Sequence, residues 1–382
     1  MVTSLAVGVV AAALAAGGET PASTELARLP ASQKVQALAI AGSTVFVATA
    51  HADRSVRLLM LRRGSRRTIG AFGVPIPAAG RAGYELGRVS QSVRLEASGV
   101  QLAVLRTVRA FWQPDCLRRG CRRSGFSERL LTELYVARSG GSLRRLMRVD
   151  HRGDDCALRP THVEVGGSML AYVARFGEGN GCAAGGSIVA VVESRGDTFV
   201  HRRVFTERRR EITALALGGS YVVWATRQSA PCPCTAAVLA DWRRGKMLFR
   251  FVAPELNVVE DVAVTAKAAV ALVGRVPRRG CNTRAIVLLP AHAVPRRLGA
   301  RATSIGGFVG PRLVHAGLAR GSCLRAPRRI EVTTEDGATR VIRTLGATPS
   351  GLDFDGTYVV YAVPLRAGST RSPQVVYRHR VR

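Results

Sequence analysis

One short phrase recurs seven times along the chain: an apolar alternating run, a glycine-type turn and a second apolar run. The copies read ALAIAGSTVFVATA from Ala37, RLEASGVQLAVLR from Arg94, HVEVGGSMLAYVAR from His162 and TALALGGSYVVWATR from Thr213. They continue as DVAVTAKAAVALVGR from Asp261, SIGGFVGPRLVHAG from Ser304 and GLDFDGTYVVYAVP from Gly351. Repeats with a period of tens of residues are supersecondary units that bury their apolar faces only against one another. Seven of them spread over nearly all of 382 residues predict one closed repeat domain, not two or three separate ones.

The turn positions are Gly42, Gly99, Gly167, Gly219, Lys267, Gly307 and Gly356, with a mean spacing of about 52 residues. Within a unit the first strand alternates apolar and small residues. Glycine, which tolerates positive φ, then reverses the chain into a second strand. A connection rich in Pro, Gly and Cys follows. Third and fourth strands are joined by polar turns: Arg63-Gly64-Ser65, Ser139-Gly140-Gly141, Arg195-Gly196-Asp197, Arg244-Gly245-Lys246 and Asp336-Gly337-Ala338. Four strands per unit without helical periodicity describe a propeller blade. Small residues in Ala37–Ala41 and Ala214–Leu217 suit innermost strands crowded round a channel. After Tyr361 only one further strand, SPQVVYRHRVR, remains. The segment TELARLP, Thr24 to Pro30, reads as a lone outer strand that pairs with it and closes the ring, removing exposed edges.

The phrase GLDFDGTYVVYA, Gly351 to Ala362, resembles the first-strand, turn, second-strand signature of the seven-bladed β-propellers, in the broad WD40-like and TolB-like sense. The resemblance implies an all-β propeller of seven four-stranded blades over residues 24–382. It names no function, since propellers include enzymes, scaffolds and ligand binders. Six or eight blades stay open, because the fifth turn is Ala266-Lys267 and the sixth unit is degenerate.

A net charge of +30 comes almost wholly from arginine, since Lys34, Lys246 and Lys267 are the only lysines. Such a field attracts polyanions. Arginine pairs such as Arg62-Arg63, Arg144-Arg145, Arg202-Arg203 and Arg296-Arg297 are scattered near strand ends, where charge also guards edges against pairing with another chain. Residues Leu5 to Ala16 form an apolar run too short to span a membrane, and Ala13-Leu14-Ala15 fits a small-x-small cleavage site. Residues 1–18 are therefore read as a signal peptide and the protein as exported, although no Lys or Arg precedes Leu5. Eight cysteines, all in connections, fit an oxidising compartment. The expected bonds are Cys116–Cys121, Cys156–Cys182 and Cys281–Cys323, with Cys232 and Cys234 joined locally or left reduced.

The connection Arg106 to Glu128 is the expected contact site. Trp112 supplies aromatic area, and Arg118, Arg119, Arg122 and Arg123 supply forks for phosphate or carboxylate. The run Asp150-His151-Arg152-Gly153-Asp154-Asp155 does not match the EF-hand pattern and reads as a solvated turn. Four GGS triplets, at Gly140, Gly166, Gly185 and Gly218, read as turn chemistry. No nucleophile elbow, zinc-protease, Walker or Rossmann pattern occurs. No metal or cofactor is implied. The expectation is a monomeric, non-catalytic binding module that meets an anionic polymer or an envelope protein through its cysteine-bearing face. It has no transmembrane anchor and no specific nucleic-acid partner. The alternative is a hydrolase or lyase acting on an extracellular glycan, with acid and base from Asp154, Asp155 and Glu178.

Overall fold

A computed structural model describes residues 23–381 apart from 75–83, 100, 115–126, 139–140, 153–157, 177–184, 196–197, 229–234, 255–256, 276–283, 292, 319–327 and 367–371. Among the described residues every regular element is a strand. After β1 (Thr24–Leu29), the first sheet comprises β2 (Lys34–Ala41), β3 (Thr44–Ala50), β4 (Val56–Arg62) and β5 (Ser65–Phe72). The second is longer: β6 (Tyr84–Ser98), β7 (Gln101–Pro114), β8 (Ser127–Arg138) and β9 (Arg144–Arg152). The third comprises β10 (Arg159–Gly166), β11 (Met169–Phe176), β12 (Gly186–Arg195) and β13 (Thr198–Arg208). The fourth comprises β14 (Arg210–Gly218), β15 (Tyr221–Gln228), β16 (Thr235–Asp241) and β17 (Lys246–Val252).

Then come β18 (Asn257–Val264), β19 (Ala268–Arg275), β20 (Arg284–Pro290), β21 (Arg296–Val309), β22 (Arg312–Leu318), β23 (Arg328–Thr334) and β24 (Thr339–Leu345). These form one seven-stranded sheet. The first part of β21 pairs with β20 and the second with β22. One strand is thus the outer edge of the fifth unit and the inner edge of the sixth. The last sheet holds β25 (Gly351–Phe354), β26 (Tyr358–Pro364) and β27 (Gln374–Arg380), with β1 antiparallel to β27 on its outside. The N-terminal strand therefore lies where its sequence placed it.

Inner strands β2, β6, β10, β14, β18, β21 and β25 touch one another in that order, and β25 touches β2. The core is a series of apolar layers between adjacent sheets. Leu29, 0% exposed, joins Val35, Leu38, Val360 and Val376 where first and last sheets meet. Two ion networks are also buried between sheets. Arg106 donates to Glu133 Oε2 at 2.6 Å and to Gln91 Oε1 at 2.7 Å, beside the Phe72 ring. Glu207 Oε1 accepts from Trp224 Nε1 at 3.0 Å and from Arg250 at 2.6 Å.

Turn chemistry follows the sequence at Gly42, Gly99, Gly167, Gly219 and Gly356, all with positive φ. The fifth turn needs no glycine, because the Thr265 hydroxyl accepts from the Lys267 and Ala268 amides. The sixth turn is displaced from its expected position. Gly307 lies within β21, and the reversal falls three residues later at Gly310-Pro311. Gly307 sits instead at a register shift, where a Cβ would meet Phe354 O at 2.8 Å. The triplet at Gly185 is not a hairpin turn either, since Gly186 and Ser187 begin β12. Asp150 to Arg152 fall on β9, not in a turn, and Arg129 donates to Asp150 Oδ1 at 2.6 Å.

Candidate functional site

A cavity of about 810 Å³ runs along the axis and is lined by the inner strands and their hairpin turns. Strand alternation turns every second side chain toward this axis. Most of these are apolar or glycine. Glu96, Glu164, Asp261 and Asp353 are not, so a strongly basic protein carries acid at its centre.

Two of the four are tied to the backbone. Asp353 Oδ2 accepts from the Ile40 amide at 2.7 Å and Oδ1 from the Phe354 amide at 2.8 Å. Asp261 repeats the pattern, taking the Ile305 amide at 3.3 Å and the Val262 amide at 3.0 Å. Each aspartate therefore clasps the next inner strand. Burial pushes Asp261 up to about 6 and Asp353 up to about 7. Glu96 and Glu164 are raised well above the carboxylate range, first by burial and then by the neighbouring carboxylates. His162, two residues before Glu164 on β10, is lowered to about 3 by burial and by Arg94.

Sequence reasoning passed over these carboxylates. A signal was present, because Glu96, Glu164 and Asp353 each stand three residues before a turn glycine. Trp112, expected in the contact loop, lies on β7, 3% exposed among Val89, Val108 and Ala110. That corrects its role: the indole is core, because β7 continues to Pro114 and carries it inside. Arg118, Arg119, Arg122 and Arg123 lie outside the described residues. So do Asp154, Asp155, Glu178 and the cysteines 116, 121, 156, 182, 232, 234, 281 and 323. The connections that contain the cysteines all leave their antiparallel sheets at one end, opposite the inner hairpin turns that rim the axial cavity.

Outer strands carry the opposite charge. Exposed basic residues stand on β5 (Arg66, Arg67), β9 (Arg145, Arg148), β13 (Arg202, Arg203), β17 (Lys246), β21 (Arg296, Arg297) and β24 (Arg343). Among the described residues no group of three or more His, Cys, Asp or Glu side chains is arranged to hold a metal ion. No described helix is long and apolar enough to cross a membrane.

No family model and no curated protein matches the chain. Solved structures do. The propeller domain of the Trilobed protease from Pyrococcus furiosus is similar over 91% of this chain and 97% of its own, with 11% identity and a TM-score of 0.54. The fold is that of a β-propeller. Pyrococcus horikoshii acylaminoacyl peptidase matches 88% of the chain with 10% identity and a TM-score of 0.54. A polysaccharide lyase, Uly1, matches 91% of this chain and 90% of its own, with 10% identity and a TM-score of 0.53. Against two of the peptidases it matches, the chain spans only 62% and 51% of their length. The propeller fold is therefore shared with peptidases and lyases, and the likeness extends to fold alone.

Proposed function

We propose that the chain is an exported, non-catalytic propeller that binds an anionic polymer. The observation that carries this reading is the basic outer rim: exposed Arg or Lys on the outer strands of successive sheets, within a net charge of +30. Only 26 acidic residues face 56 basic ones, so most of the rim has no carboxylate to neutralise it. The second sheet adds reach. Its strands of 15, 14 and 12 residues stand beyond their neighbours at the cysteine-bearing end. The sequence between β7 and β8 holds Arg118, Arg119, Arg122 and Arg123.

The hydrolase or lyase alternative draws less support. General acid–base chemistry uses paired groups whose pKa values are driven apart. In the axial cavity Glu96 and Glu164 are both pushed toward the protonated form, and His162 is too weak a base near neutrality. The two aspartates spend their oxygens on backbone amides.

Counterion release makes polyanion affinity fall steeply with salt. The test is retention on immobilised alginate and heparin against neutral dextran. Retention on both anionic matrices at about 20 mM salt, lost by about 500 mM, is expected when the Debye length shrinks from tens of ångströms to a few. Failure to bind either at low salt, or equal retention on dextran, would remove the electrostatic basis of the reading.

A further inference from the structure

Arg94 lines a second, smaller cleft of about 210 Å³ between β6–β8 and the start of β10. Strand register dictates one wall. Ser92 pairs with Thr107 and Thr107 with Thr132, so three hydroxyls form a row on one sheet face. Flanking rows place Arg94 beside Leu105 and Arg109 beside Leu130 on that same face. Pro160 and Thr161 close the opposite side.

Two groups in this wall are open to a ligand. Thr132 is 1% exposed, yet its hydroxyl has no hydrogen-bond partner. An orphaned buried hydroxyl costs free energy, and a native fold keeps one where something else completes it. Arg94 is exposed and makes no ion pair or hydrogen bond among the described residues, whereas Arg109 already holds Glu128 at 2.8 Å.

The cleft has room for about seven waters at roughly 30 Å³ each, more than a bare inorganic anion fills and comparable with a single pyranose ring. Among the described residues no aromatic side chain lines it, so they offer no stacking surface for a nucleobase. Leu105, Leu130 and Pro160 supply an apolar floor for the C–H face of a sugar. We propose that this cleft binds one acidic sugar residue, with Arg94 pairing its carboxylate and the Ser92, Thr107 and Thr132 hydroxyls bonding its oxygens. The biological ligand rests on the anionic-polymer reading, but a monosaccharide tests the cleft alone.

Isothermal titration of the full chain with glucuronate, glucose and sodium sulfate is the experiment. Saturable glucuronate binding with a Kd of about 1 mM or tighter is expected, with glucose and sulfate at least about tenfold weaker. Arg94→Gln lowers glucuronate affinity at least about tenfold, as befits a charge-assisted contact. Thr132→Val keeps the side-chain shape and deletes only the orphan hydroxyl, so its Tm stays level or rises while affinity drops about threefold or more. No saturation by about 10 mM glucuronate, or unchanged affinity in both variants, overturns the site. Sulfate binding as tightly as glucuronate overturns the sugar assignment. Glucuronate failure alongside intact polymer retention sinks the cleft and spares the rim. Glucuronate binding without polymer retention sinks the rim instead.

Discussion

Replacing Asp353 with asparagine isolates the energetic cost of the acidic axis. The folded carboxyl keeps its proton up to about 7, against 3.8 for the free side chain. The native state is therefore favoured fully below pH 3.8, and that contribution disappears as pH rises through about 7. At 1.36 kcal/mol per pH unit, about two units of the shift still act at pH 5, or about 3 kcal/mol, and almost none at pH 8. His162 and His315, lowered to about 3 and about 4, act in the opposite sense. Their contribution is present above 6.5 and fades as pH falls, and it is the same in both proteins. Asparagine adds a pH-independent loss of about 1 kcal/mol, because one of the Ile40 and Phe354 amides loses its acceptor. Urea unfolding under non-reducing conditions, at fixed ionic strength, measures the difference. The unfolding free energy of wild type minus variant is expected to shrink by about 3 kcal/mol from pH 5 to pH 8. A difference constant to within about 1 kcal/mol, or one that grows with pH, refutes the assignment of a proton to Asp353.

Two further outcomes probe the sheet interfaces. Leu29→Ala removes a 0% exposed side chain that seats β1 against the first and last sheets, and should cost about 2–4 kcal/mol by thermal or urea unfolding; a cost near zero would mean that β1 is not docked. Glu207→Gln strips Arg250 of its ion pair beside the Trp224 indole and should cost about 3 kcal/mol, with altered tryptophan fluorescence. Full stability with unchanged emission would contradict that network.

Much of the architecture was legible because propeller strands obey short-range rules. Glycines at Gly42, Gly99, Gly167, Gly219 and Gly356 take positive φ where the alternating runs reverse, and Thr24–Leu29 pairs with the C-terminal strand. Where other physics intervened, local pattern misled. A double glycine at Gly306-Gly307 looks like a turn. It serves instead to let β21 pass close to its neighbour, since a Cβ on Gly306 would meet Leu352 at 2.6 Å. Trp112 was misplaced because strands of 14 residues far exceed the usual five or six. The axial carboxylates and the hydroxyl row of Ser92, Thr107 and Thr132 come from residues far apart in sequence. Only strand register and ring geometry bring each set together.

The long strand β21 has a mechanical consequence. Between the other sheets the outer strand of one ends before the inner strand of the next begins, as β13 ends at Arg208 and β14 starts at Arg210. Here a single extended backbone runs from the periphery of the fifth sheet to the axis of the sixth, with hydrogen bonds to both. A twist applied to either must be felt by the other. That sector should behave as a stiff double wedge, and the join along β21 offers no slack chain in which an insertion could be lodged.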